Sequence, residues 1–227
     1  MIPVRDVVPS PTRPVVTVVL LTASLVTTII TESRAISSLL PAPLVGAAAT
    51  VSHGAWPLLA ANGLLFWLLG PAIEDRTGPA RFVLFCVATG IAGGIVPTAM
   101  GSGPAGAAAL AIAAGAAAAH LVTFPDSRVL AIAPGRSGWT VVEWPSAVVA
   151  ACWTLGPVAD ALGILRLEPF GAPGVALAVA AAGSACGVLS MKILRRPERF
   201  AVAWWDGPAS AEVSSRRESA ARAAPVR

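Results

Sequence analysis

Residues Pro104–Phe124 read PAGAAALAIAAGAAAAHLVTF, an uncharged run of twenty-one residues with eleven alanines and two glycines. As a helix it would be roughly 31 Å long, enough to cross a bilayer. Alanine and glycine gain little from facing lipid tails, but they let neighbouring backbones approach closely. The run is therefore expected at the centre of a helix bundle rather than on its rim.

The whole chain agrees with that placement. Its 227 residues are 56% hydrophobic and 12% charged, and the mean hydropathy is +0.74, values of a polytopic membrane protein and not of a soluble domain. The net charge of +4 comes from basic residues flanking apolar runs, which argues against a nucleic-acid partner and for a lipid bilayer. Cys86, Cys152 and Cys186 sit inside apolar runs, without the spacing of a metal site. Neither a metal nor another cofactor is expected.

In order, residues 1–14 form a proline-rich cytoplasmic leader and not a secretory signal. Spans are expected at Val15–Ile30, His53–Ile73, Phe82–Met100, Pro104–Phe124, Val141–Leu162 and Ala172–Leu194. Between them lie a mixed loop, Glu32–Ser52, broken by Pro41 and Pro43, a charged turn, Glu74–Arg81, a short joint, Gly101–Gly103, and a polar loop, Pro125–Gly138. Residues 195–227, rich in Arg, Ser, Ala and Pro, read as a disordered basic cytoplasmic tail. The fold class is thus all-α, a six-span bundle over residues 15–194. Fourteen of the sixteen Lys and Arg residues fall on the side of the two termini, and only Arg34 and Arg166 fall opposite. By the positive-inside rule both termini are cytoplasmic. Trp56, Trp139 and Trp144 fit an interfacial belt, and Trp67 and Trp153 fit the core.

From His53 the chain reads HGAWPLLAANGLLFWLLGPAIEDRTGPARFVLF. The GxxxExxxG element Gly70, Glu74 and Gly78, the pair Glu74–Asp75, Arg81–Phe82, and Asn62 upstream together resemble the second span and following loop of the rhomboid intramembrane serine proteases. MIPVRD at the start, FPDSRV after the central run, and the glycine pair Gly183 and Gly187 extend the resemblance to about residues 1–195. On physical grounds alone Glu74 and Asp75 read as a structural brace at a span end, with Arg76 and Arg81 near enough to pair with them.

The resemblance implies a serine in a GxSG motif on the fourth span and a histidine on the sixth, one attacking the peptide carbonyl and the other taking its proton. Setting FPDSRV on the family pattern places Leu110 at the serine. Setting Gly183 and Gly187 on the family's glycines places Ala180 at the histidine, and Leu58 takes the place of a further histidine four residues before Asn62. Alkyl groups can neither attack a carbonyl nor accept a proton, so Asn62 is the one matching polar residue, read as a bridging amide or a remnant of the oxyanion site.

A substitute pair would need Ser102, in Gly101-Ser102-Gly103, with His53 or His120. His120 lies eighteen residues further along, roughly 27 Å on a continuous helix, against the ~3 Å that a base requires. His53 is the remaining partner. His120, intramembrane and ionisable, is expected to bond a neighbouring span or reach the interface.

The expectation is a rhomboid-fold pseudoprotease in a bacterial inner (plasma) membrane, binding transmembrane segments of other proteins without cleaving them. Its alternatives are an active rhomboid endopeptidase using Ser102 with His53, and a small membrane transporter. The sequence leaves the oligomeric state open.

Overall fold

The computed structural model describes residues 2–6, 13–52, 55–103, 106–135, 138–167, 170 and 172–196. Met1–Arg195 forms one unit, and Arg196–Arg227, where the expected tail falls, lies outside the described residues apart from Arg196.

The fold is mostly helical. Val15–Glu32 (α1), Arg34–Ser37 (α2), Ala42–Val51 (α3), Trp56–Thr77 (α4), Pro79–Ala99 (α5), Ala107–Thr123 (α6), Ser146–Ala161 (α7) and Val175–Leu194 (α8) follow in order. Four of them, α1, α4, α5 and α8, are long and apolar enough to cross a membrane, while α6 and α7 are apolar but shorter, at 17 and 16 residues.

Helix α6 is shorter than the Pro104–Phe124 run because Gly106 stands before it in the left-handed region, at φ +73°, which an alanine rarely adopts. Its centrality holds all the same. From Ala107 to His120 only Ala108, Ile112 and Ala118 are partly exposed, and α4, α5 and α8 all pack on it. The contact with α8 is backbone to backbone: a Cβ added at Gly183 would lie 2.6 Å from Ala111 Cα, and one at Gly187 would lie 2.6 Å from Gly115 Cα. Small residues are what permit so close an approach of two apolar helices.

Three expectations are corrected. The fold is not all-α, because Ile2–Asp6 (β1), Arg128–Gly135 (β2) and Gly138–Pro145 (β3) form an antiparallel sheet in the order β1-β2-β3. The expected leader thus supplies a strand, the polar loop Pro125–Gly138 supplies another, and the fifth apolar helix begins at Ser146 instead of Val141. Gly135 pairs with Gly138 at the hairpin end and Val129 with Trp144 further in. Val129 and Ala131 face the helices and are buried, whereas Trp139 and Val141 are exposed. Next, Glu32–Ser52 contains α2 and α3, and its prolines start α3 rather than break a chain: Pro41 precedes the first helical residue and Pro43 stands in the first turn, where no N–H is needed. Finally, Glu74, Asp75 and Arg76 belong to α4, which ends only at Gly78. Trp67 also departs from its expected place, being half exposed.

Candidate functional site

The GxxxE element joins the first two long helices. Helix α1 begins after Pro14 with no side-chain cap of its own. Glu74 supplies one from α4, its Oε1 accepting from Val16 N–H at 2.8 Å and its Oε2 from Thr17 N–H and Thr17 Oγ1, each at 2.8 Å. The carboxylate is 1% exposed, and charge-assisted bonds at the positive end of a helix dipole offset its burial. One turn earlier, Gly70 lies beside the capped turn, where an added Cβ would rest against Thr17 at 3.4 Å. Gly78 then reverses the chain into α5 at φ +84°, ψ +156°, a region open essentially to glycine alone. Arg81, expected near the acidic pair, donates from its guanidinium to the Leu194 carbonyl at the end of α8, at 3.3 Å.

The positions that the resemblance assigned to catalysis are apolar and filled. Leu58 of α4 and Leu110 of α6 share one cluster with Phe170, Val175, Ala176 and Val179, with Trp153 packed against it. Leu110 and Phe170 are each 1% exposed, and Ala180, next along α8, is 6% exposed. No member of that cluster carries a nucleophile or a base. Asn62, one turn along α4 from Leu58, is buried, and its Oδ1 accepts from Trp153 Nε1 of α7 at 3.1 Å.

The substitute pair cannot be placed, because His53 lies outside the described residues. Ser102 sits partly exposed in the turn after α5, its N–H donating to the Pro97 carbonyl at 2.7 Å. A serine–histidine contact does occur elsewhere: His120 Nε2 is 2.9 Å from Ser127 Oγ. Ser127 Oγ also bonds Ser146 Oγ, and the Ser127 carbonyl accepts from both Ser146 N–H and Ser146 Oγ at 3.0 Å. The imidazole, fully buried, lies against Phe124 with ring centroids 5.2 Å apart. This arrangement pins the loop between α6 and β2 to the first turn of α7. Sequence spacing hides it, since Ser127 is seven residues beyond His120 and returns only because α6 stops at Thr123.

A second buried carboxylate also escaped the sequence reading. Asp160, 4% exposed, accepts from Leu167 N–H at 2.9 Å and Gly174 N–H at 3.2 Å. It fastens the loop between α7 and α8 that carries Phe170 into the apolar cluster. An aspartate inside an otherwise apolar run was the available signal.

The family model described as Rhomboid domain matches residues 46–197, about two-thirds of the chain. The chain belongs to the rhomboid family. No curated protein and no solved structure matches it. With its apolar helices, membership makes this rhomboid an integral membrane protein. The match takes in α4 to α8 and hence Leu58, Asn62, Leu110 and Ala180 alike, so the apolar cluster stands within the rhomboid domain itself.

Proposed function

We propose that this rhomboid is a pseudoprotease: it keeps the family's scaffold and binds transmembrane segments of client proteins without cutting them. The observation that carries the reading is the buried apolar cluster that holds Leu110 together with Leu58 and Phe170. A peptide hydrolase needs a hydroxyl, a base and water at one point, and hydrocarbon occupies the place that the family pattern reserves for them. In this reading α6 and α7 complete six spans, both termini are cytoplasmic, and the protein resides in a bacterial inner membrane.

The test is labelling of the full-length protein in native membranes with a serine-reactive fluorophosphonate, alongside incubation with a model single-span rhomboid substrate. Neither labelling nor cleavage is expected. Labelling abolished by Ser102→Ala would overturn the reading in favour of the divergent protease with His53. Labelling abolished by Ser127→Ala would overturn it in favour of a hydrolase built on the His120–Ser127 contact, the 2.9 Å distance being the specific observation behind that second reading.

A further inference from the structure

The two edges of the sheet are built differently. At β1 the register with β2 shifts between Pro3 and Arg5, and Pro3 has no N–H to offer, so this edge carries two of the features that discourage further strand pairing. At β3 the register with β2 runs unbroken from Gly138 to Pro145, and the only proline is the last residue.

The end of the ladder shows which amides of β3 point away from β2. Arg128 pairs with Pro145, and one step further Ser146 N–H donates to the Ser127 carbonyl at 3.0 Å. Residues of an antiparallel strand alternate between bonding the neighbour and pointing away from it. Gly138, Thr140, Val142 and Trp144 therefore bond β2, while Trp139, Val141 and Glu143 direct N–H and C=O off the edge. Among the described residues none of these three makes a backbone bond outside the sheet, and all three side chains are exposed.

The orientation of the sheet suits one partner. Val129, on its inner face, is buried in a cluster that takes in Leu121, in the last turn of α6, and Val149, in the first turn of α7. The sheet thus covers that end of the helices, with its normal along them. Two copies inserted alike in one membrane are related by a two-fold axis along the membrane normal. Such an axis sets β3 of one copy antiparallel to β3 of the other within the plane of the sheet.

We propose that β3 pairs with β3 of a second copy, antiparallel and centred on Val141, joining two three-stranded sheets into one. In that register Val141 opposes Val141 and Trp139 opposes Glu143, so each N–H and C=O pointing off the edge meets its counterpart. The two glutamates stand four positions apart, and each keeps Arg128 of its own chain at 3.5 Å, so like charges do not oppose one another. Sliding the strands by two residues one way sets Pro145, which has no N–H, against Trp139; sliding them the other way carries Glu143 past the start of the facing strand. This inference is independent of the client-binding reading.

Full-length protein in phosphatidylcholine vesicles is given one added cysteine, Val141→Cys, Trp139→Cys or Glu143→Cys, in a Cys152→Ser background because Cys152 is exposed, and is treated with a short bis-maleimide. Opposed residues of such a pair have Cα atoms about 5.5 Å apart, against roughly 14 Å for residues four positions off. Val141→Cys is expected to cross-link between copies about tenfold more than Trp139→Cys or Glu143→Cys alone, while those two cross-link when mixed. Val141→Pro deletes an N–H that bonds nothing within one copy, a place where an edge strand tolerates proline, and is expected to keep the melting temperature and abolish the mixed cross-link. Val141→Arg, which sets two cations against each other at the centre of the pair, is the second variant and is expected to do the same. Equal cross-linking at all three positions, or a mixed cross-link that survives both variants, overturns the pairing. Absence of cross-links between copies also overturns it, whether or not a peptide of another protein is then found on the edge.

Discussion

Glu74→Gln exchanges one carboxylate oxygen for an amide nitrogen, yet it should loosen the junction of α1 with α4. All three groups facing the carboxylate are donors: Val16 N–H, Thr17 N–H and Thr17 Oγ1. A glutamine can offer its carbonyl to the Thr17 pair, but its NH₂ then opposes Val16 N–H. The loss is one charge-assisted bond, about 1.5–3 kcal/mol, together with about 1–3 kcal/mol for a buried donor left unmet. Removing a buried charge returns part of this, so the net destabilisation is about 3 kcal/mol. On the scale of about 2–4 °C per kcal/mol for chains of this size, Tm should fall by about 10 °C.

The measurement is thermal unfolding of the full-length protein in detergent, with Glu32→Gln, an exposed position, as the control. Thr17→Val keeps the shape and removes only the hydroxyl bond, so it should cost about 1 kcal/mol. Combined with Glu74→Gln it should cost less than the sum, because the two residues share one network. A Glu74→Gln protein that melts with the control, or a strictly additive pair, would refute the capping role.

Gly183→Leu should be more damaging than Glu74→Gln, since its side chain must enter the Ala111 backbone; loss of monodisperse protein on size-exclusion chromatography checks it. Asp160→Ala releases the Leu167 and Gly174 N–H groups, and limited proteolysis should cut the loop between α7 and α8 faster, with about 2 kcal/mol lost in unfolding. Leu110→Ala opens a hole in a filled cluster and should cost about 2 kcal/mol or more, read as a lower Tm with fluorophosphonate labelling still absent. Trp153→Phe deletes the bond to Asn62 and should cost about 1 kcal/mol, an effect that disappears when Asn62 is already leucine.

How legible this molecule was depended on the range of the signal. Long apolar runs set the helices to within a few residues, because hydropathy integrates over a whole span, and the alanine content of Ala107–Thr123 foretold its burial because small side chains suit only close packing. The sheet was missed although GWTVVEWP alternates and is rich in β-branched and aromatic residues; the apolar content of Val141 and Val142 reads equally as the start of a span. Asn62 was legible as a bridging amide, but its partner Trp153 is ninety-one residues away. Glu74 was legible as a brace, but its target is an uncapped helix start fifty-eight residues earlier. No local pattern encodes either distance. The contact of Arg81 with the Leu194 carbonyl, at the end of α8, spans 113 residues and is equally absent from any local pattern.

These contacts bear on what the family pattern in this chain can mean. Glu74 caps α1, Gly78 turns the chain, Arg81 meets the last turn of α8, and Gly183 with Gly187 seats α8 on α6. Each has a sufficient structural reason, and none of these contacts touches a reacting group. Their presence is therefore evidence for the scaffold and carries no weight for proteolysis. The positions that the resemblance matches to the family's catalytic residues, Leu110, Ala180 and Leu58, are buried, and Leu58 and Leu110 share one apolar cluster. Asn62 belongs to neither set. Its Oδ1 accepts from Trp153 Nε1 and so ties α4 to α7, a bridging role met inside the bundle.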